Sequence, residues 1–332
     1  MVETTRSATA LHIPPSPTTN PPAAQPIIAS KRSPIHPEDV HFSRAWFALT
    51  ALGAGAGLAI IRRFGWRGAL LDALAGAGVL AYTTLVEPRM PKLERLELHF
   101  PNLPPELDGL RIGQISDSHL GVRGAERALR WAVRQMQREQ PDLIAITGDI
   151  VHGEGAVRQI VPLLRDLRAP LGVYAVPGNH DYWAEFDHLN DALAEVNIPL
   201  LMNEHRRLNW HGGELWVVGT DDVWDGRPDL DTALHGVPLG AFTVLLAHTP
   251  YGAPQAARVG IGLQLSGHTH GGHMRLPLLG PLARPRYTGQ FISGLYELGA
   301  TKLYVSRGVG GVPLRLFCRP EATIVTLRRG DA

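Results

Sequence analysis

Hydrophobic and polar positions divide the chain into three regimes. Residues 1–42 show no apolar periodicity and are rich in Pro, Ser, Thr and Ala, as in Pro14-Pro15-Ser16-Pro17. That composition predicts a disordered tail. Residues 45–61 carry no charge and residues 68–86 carry only Asp72, with Arg62-Arg63-Phe64-Gly65-Trp66-Arg67 between the two runs. Each run approaches the roughly 20 residues that cross a bilayer, and neither has the polar face of a buried helical pair in a soluble protein. Residues 43–90 are therefore expected to form a membrane-anchoring helical segment. A two-span hairpin closed by an arginine loop is preferred to one span plus an interfacial helix. A twin-arginine export signal fits poorly, because an apolar run already precedes the arginines.

From residue 91 to 332 the pattern changes to alternating strand and helix. Residues 110–115 read as a strand, 125–139 as an amphipathic helix and 143–147 as a buried strand. A helix over 156–167, a strand over 173–176 and a helix over 186–196 follow. This alternation predicts parallel strands with right-handed crossovers. Strands over 215–218, 242–247, 263–265, 303–305 and 323–327 have few helices between them, which predicts a second, mixed sheet packed on the first.

Composition narrows the function classes. The formal net charge of +1 gives no bulk electrostatic reason to expect a nucleic-acid partner. Cys318 is the only cysteine, so no intramolecular disulfide forms and the thiol is expected to act as a small buried hydrophobe. The 15 histidines concentrate near glycine-rich turns.

Five short runs follow strand ends, where open α/β sheets place ligands. They are Asp117-Ser118-His119, Gly148-Asp149, Gly178-Asn179-His180-Asp181, His248 and Gly267-His268-Thr269-His270. Any one of them, met alone, reads as a turn with capping side chains or as an ordinary buried histidine. Together they offer hard oxygen and borderline nitrogen donors suited to Mn, Fe or Zn and poor for Ca or Cu(I). The donors are too many for one ion and about right for two ions sharing a carboxylate, since two cations roughly 4 Å apart need an anionic bridge.

In this order the runs resemble the calcineurin-like metallophosphoesterase superfamily over about residues 96–327. Gly219-Thr220-Asp221-Asp222, the run from Leu265 to Gly272, Ser306-Arg307-Gly308-Val309-Gly310 and Glu87-Pro88 are similar to the membrane-associated bacterial phosphodiesterase subgroup. The resemblance implies a four-layer αββα sandwich of two mixed β-sheets flanked by helices, preceded here by N-terminal apolar helices. It implies two divalent metal ions, one held by Asp117, His119, Asp149 and His270 and the other by Asp149, Asn179, His248 and His268. Asp149 would bridge them together with a water or hydroxide that attacks phosphorus. His180 would lie near the leaving-group oxygen as acid or charge stabiliser, and Asp181 would orient a histidine or ligand.

Other residues are expected at the margins. His152 and His273 are either substrate contacts or surface imidazoles. Asp221 and Asp222 are expected to be structural, and Arg275, Arg284 and Arg286 solvated. The expected activity is a phosphodiesterase-like phosphohydrolase acting on a phosphoester or pyrophosphate, lipid-linked and at a membrane, with the catalytic domain extracytoplasmic. A UDP-2,3-diacylglucosamine pyrophosphohydrolase is the alternative and needs a cytoplasmic active site. A non-catalytic metal-binding scaffold is disfavoured, because every ligand and His180 are present.

Overall fold

Consecutive side chains of the strand Leu143–Thr147 face different cores. Leu143 and Ala145 pack between two sheets, whereas Ile144 and Ile146 pack against helices. A strand buried on both faces must read as a continuous apolar run, and this one does. The computed structural model describes residues 9–10, 40–42, 44–153 and 155–330. The tail expected to be disordered lies mostly outside them. Its two described pieces, Thr9–Ala10 and Val40–Phe42, pair as short strands with Tyr296 and Glu297 and with Ala283–Pro285.

In chain order the main strands are β1 Lys92–Phe100, β2 Arg111–Ile115, β3 Leu143–Thr147, β4 Val173–Val176, β5 Glu204–Trp210 and β6 Gly213–Gly219. They continue with β7 Thr243–Leu246, β8 Leu263–Ser266, β9 Gly294–Leu298, β10 Thr301–Val305 and β11 Glu321–Arg329. The first sheet runs β1-β11-β2-β3-β4, parallel except where β11 meets β2. The second runs β9-β10-β8-β7-β6-β5, with a parallel centre and antiparallel outer pairs.

Between the sheets lie Leu98, Ile112, Val176, Val217, Val244, Leu265 and Val325. Helices α2 Ala125–Glu139, α3 Ile160–Leu164 and α5 Phe186–Glu195 cover the outer face of the first sheet. The short helices α6 Leu230–Ala233 and α7 Ala253–Arg258 cover the second. The result is the expected four-layer αββα arrangement of two mixed sheets.

Two sequence expectations need correction. The helix expected over 156–167 is a 3₁₀ turn at Ala156–Gln159 running into the five residues of α3. Pro162 has no N–H to give the preceding turn, which shortens it. Strands β1, β5 and β9 escaped the sequence reading. β1 and β5 are sheet edges, and β9 is followed outward only by the two-residue strand Thr9–Ala10. An edge strand is half exposed, so β5 (Glu-His-Arg-Arg-Leu-Asn-Trp) carries charge where a central strand carries apolar side chains.

The apolar segment forms α1, Arg44–Ala81, broken by non-helical geometry at Gly65 (φ 59°, ψ −143°). A Cβ at Gly57 would lie 3.0 Å from the Asp72 carboxylate, and one at Gly68 would lie 2.7 Å from the Ile60 carbonyl oxygen. In a straight helix residues 57 and 72 would be about 22 Å apart. The two halves therefore double back on one another, with bare glycines at the close approaches and Arg62, Arg63 and Arg67 at the turn. Leu52, Leu58, Leu71 and Leu74 on the arms are exposed. The second arm continues through Tyr82–Val86 to a 3₁₀ turn at Glu87–Arg89, where it is tied to the αββα body. The buried Glu87 carboxylate accepts the N–H groups of Phe317 (3.0 Å) and Cys318 (2.5 Å), and Arg315 N–H donates to Thr83 O (2.8 Å).

Candidate metal centre

The C-terminal ends of β2, β3, β4, β7 and β8 point to one place. Asp117 and His119 follow β2, Asp149 follows β3, and Asn179 and His180 open α4 Asn179–Trp183 after β4. His248 follows β7, and His268 and His270 follow β8. Asp117, His119, Asp149, His268 and His270 all hold positive φ, between 47° and 68°. For non-glycine residues that conformation costs roughly 1–2 kcal/mol each, and such strain persists where surrounding structure overrides it, typically at functional sites.

Two buried groups result, with Asp149 in both. In the first, Asp117, His119, Asp149 and His270 bring their ligand atoms within 4.8 Å of one another. His119 Nε2 lies 3.0 Å from His270 Nε2 and 3.4 Å from Asp149 Oδ2, while His270 Nε2 lies 3.5 Å from Asp117 Oδ1. In the second, Asp149, His248 and His268 meet the same limit, with His248 Nε2 3.3 Å from Asp149 Oδ2. Asn179, behind the same strand ends, has a buried Oδ1 without a hydrogen-bond partner, and His248 Nε2 also makes no hydrogen bond. An orphaned acceptor such as Asn179 Oδ1 is costly unless something electropositive reaches it. The donor set fits divalent cations.

Backbone carbonyls set which ring nitrogens face inward. His248 Nδ1 donates to Thr147 O (2.8 Å), which leaves Nε2 for the cluster. His268 Nε2 donates to Arg286 O (2.7 Å), which leaves Nδ1. Such partners fix tautomer and ring orientation. Asp117 accepts the His268 N–H on both oxygens (3.0 and 3.2 Å) and the Ser116 hydroxyl at 2.6 Å. Arg315, fully buried, donates to His270 Nδ1 (3.2 Å) and to the His270 carbonyl (3.0 Å).

Electrostatics follow from burial and the shared carboxylate. Burial alone would lower His248, but Asp149, Asp117 and Asp222 outweigh it and push its pKa up to about 10. Burial alone would raise Asp149, but His248, His180 and His119 hold it well below the usual carboxylate range. Asp117 is pushed up to about 7, chiefly by burial with Asp149 adding to it. Burial lowers His180 and His268 to about 4 and takes His119 and His270 well below their ordinary value.

The remaining expected residues find places around this cluster. His180 donates its backbone N–H to Asp149 Oδ1 (2.9 Å), and its ring lies 4.6 Å from that of His119. His152 stacks on His180 at 4.5 Å, and His273 stacks on His270 at 4.6 Å, so neither is an isolated surface imidazole. Of the two expected roles, orienting a histidine or orienting a ligand, Asp181 bonds no histidine and instead holds the loops that carry Asp149 and Asn179. Its carboxylate takes the N–H groups of Ile150, Val151 and Gly178, pinning the loop after Asp149 to the loop before Asn179. Asp221 and Asp222 are structural, since each accepts backbone N–H groups within the 222–227 turn. Arg275 bonds Ser293 at 2.7 Å, while Arg284 and Arg286 are exposed.

Sequence reading missed Ser116, Arg315 and an aromatic rim. In that rim Trp224 meets His268 (5.8 Å), Tyr287 (5.4 Å) and Trp183 (5.6 Å) edge-on. Trp224 is adjacent to the Asp221-Asp222 motif, the one signal available. Arg315 had none.

The family model for calcineurin-like phosphoesterase matches residues 110–272, a span that holds Asp117, His119, Asp149, Asn179, His248, His268 and His270. The "Uncharacterized metallophosphoesterase YkuE" of Bacillus subtilis is 33% identical over 263 residues, covering 77% of this chain and 92% of the relative. The "Transmembrane protein with metallophosphoesterase domain" of Bos taurus is 34% identical over 306 residues, covering 86% and 67%. "Phosphodiesterase YaeI" of Escherichia coli is 32% identical over 198 residues, covering 57% and 71%. With its buried carboxylate and imidazole cluster at the matched strand ends, the chain belongs to the calcineurin-like phosphoesterase family and is a hydrolase of phosphoric esters.

Proposed function

We propose that the protein is a dinuclear-metal phosphodiesterase anchored in a membrane by residues 43–90, with residues 91–332 as its catalytic domain. The observation that carries the reading is Asp149, which belongs to both buried ligand groups and stands between their histidines. Asp117, His119, Asp149 and His270 would hold one divalent cation, and Asp149, Asn179, His248 and His268 the other, with Mn, Fe and Zn all compatible with these donors. When bound, the pair supplies Lewis acidity to the phosphoryl oxygens and to a water between them. The chain's own residues do the rest. Asp149 sets the separation of the two ligand groups. The carbonyls of Thr147 and Arg286 hold the rings of His248 and His268 in single orientations. His180, neutral at pH 7 because burial lowers it to about 4, donates a ring N–H to a phosphoryl or leaving-group oxygen rather than acting as an imidazolium acid.

Membrane attachment is supported by the exposed apolar arms and by the relative named as a transmembrane protein. Arg62, Arg63 and Arg67 at the turn favour a cytoplasmic tip, which puts both arm ends and the catalytic domain outside. A lipid-linked phosphoester or pyrophosphate suits this geometry, because anchoring raises the local substrate concentration.

The test is turnover by the full chain in detergent after loading with Mn, Fe or Zn. It compares bis(p-nitrophenyl) phosphate, p-nitrophenyl phosphate and UDP-2,3-diacylglucosamine, with Asp149→Asn as the disabled variant. Diester hydrolysis abolished by Asp149→Asn is expected. Undiminished activity in that variant refutes the shared-carboxylate reading. Reporter fusions at Glu97 are expected outside, and a cytoplasmic signal together with nucleotide-sugar cleavage would favour the alternative substrate.

A further inference from the structure

The foot of the second apolar arm does not sit flush on the αββα body. Between them is a cavity of about 700 Å³, lined by Leu85, Arg89 and Met90 of the arm's foot, by the outer face of α2 and by Gly310 and Gly311. The outer face of α2 is basic. Its apolar stripe, Leu129, Ala132, Val133 and Met136, packs on the first sheet. Arg127, Arg130 and Arg134 recur at helical spacing along the other side, and Arg123 lies just ahead of the helix. Arg130 is paired with Glu126 at 2.8 Å. Arg123, Arg127 and Arg134 have no acidic partner among the described residues, and all three line the cavity, as does Trp131. Arg319 adds a further guanidinium, with Nε donating to Met90 O at 2.7 Å. Leu85, Val86 and Met90 leave 51%, 43% and 42% of their surface exposed beside it.

We propose that this cavity binds the phosphate-bearing headgroup of an anionic membrane phospholipid, with its acyl chains lying along the apolar arm. Each half of the ligand has a counterpart. Unpaired arginine forks face a phosphate, for which their planar donors are suited. The exposed leucine, valine and methionine at the foot face the hydrocarbon. A soluble anion would use the arginines and leave the apolar rim wet, so the rim favours a lipid. The site is separate from the metal cluster but touches its frame, because a Cβ at Gly311 would lie 2.5 Å from His270 Cε1. The proposal rests on the hairpin being a membrane anchor. Failure of that reading shows separately, as a chain that stays in solution without detergent.

Native mass spectrometry of the full chain in detergent, titrated with phosphatidylglycerol, phosphatidylcholine or inorganic phosphate, tests it. One saturable phosphatidylglycerol adduct is expected, with phosphatidylcholine binding far more weakly. The combined Arg123→Gln, Arg127→Gln and Arg134→Gln variant is expected to bind roughly a hundredfold more weakly, and Arg127→Gln alone about fivefold, from the attraction of single basic side chains to anionic lipid. These arginines are exposed, so the thermal midpoint should not move, and Arg165→Gln, away from the cavity, should bind as wild type. Equal retention of both lipids, an undiminished adduct in the triple variant, or displacement by inorganic phosphate at equal concentration each overturns the assignment.

Discussion

Gly267, just ahead of the two histidines, is the position where a single methyl group should do most damage to the cluster. A Cβ there would lie 1.9 Å from Ser116 Oγ and 2.2 Å from Asp117 Oδ2. An ordinary carbon–oxygen contact is about 3.3 Å, so in Gly267→Ala the carboxylate must recede by about 1 Å. It has little room, since Gly308 closes on Asp117 Cβ from another side, where an added Cβ would stand at 2.6 Å. Receding also strains the bonds from Ser116 and the His268 N–H. Overpacking of this kind costs about 1–3 kcal/mol, and weakening charge-assisted bonds adds to it. A loss of about 2–3 kcal/mol lowers the midpoint by about 3–6 °C at this chain size. The larger effect is on coordination, which tolerates about ±0.2 Å in ligand distance. Elemental analysis after dialysis should show loss of the cation associated with Asp117, and diester turnover should fall at least about a hundredfold. Gly252→Ala, with nothing within 4 Å of the new methyl group, is the matched control. If Gly267→Ala keeps two equivalents of metal and wild-type turnover, Asp117 is not a ligand.

Three further outcomes follow from the same geometry. His248, raised to about 10, keeps its proton until the pH climbs past that value, so cation loading at pH 7 must expel it. Apparent metal affinity should therefore rise with pH from neutrality towards 10, and calorimetry in buffers of different ionisation enthalpy should record proton release; none released would contradict the pairing with Asp149. Glu87→Ala strands two backbone N–H groups, costing about 2–4 kcal/mol, and should lower the thermal midpoint, whereas Glu87→Gln should keep part of the loss back. His180→Asn should reduce kcat about 10²–10⁴-fold with metal content unchanged, and a fall in metal content instead would make His180 a ligand.

The meeting of the buried carboxylates and imidazoles was legible because each contribution is local. A strand end followed within four residues by an Asp, Asn or His forms one unit, and the five units needed only the parallel order of the strands to meet. The positive φ at Asp117, His119, Asp149, His268 and His270 was not legible, since glycine would have announced such turns and these residues do not. Strands β5 and β9 were hidden for a related reason: neither carries a continuous apolar run to mark it. The hairpin turn was readable from its charges, but the glycines that let the arms touch were readable only as low-hydrophobicity residues. Arg315 and the arginine cavity depend on contacts between segments far apart in the chain, so no window of sequence contains them.

Those distant contacts converge on the segment from Gly310 to Cys318. On one side Arg315 N–H and Cys318 N–H bind Thr83 O and the Glu87 carboxylate, at the foot of the second apolar arm. On the other side the Arg315 guanidinium and the Cys318 thiol bind the carbonyl of His270, and the guanidinium also bonds its ring. Arg315 must satisfy the carbonyls of His270, Arg307 and Gly310 at once. A fully buried guanidinium tied to three carbonyls cannot shift alone without leaving acceptors unpaired. The foot of the apolar arm and a histidine of the buried cluster are thus held by one rigid piece of backbone. The expected consequence is that loosening the arm at Glu87 is felt first at His270, not at His248 or His268. Elemental analysis of Glu87→Ala should show depletion of the cation that His270 shares with Asp117 and His119, with the His248 and His268 group retaining its own.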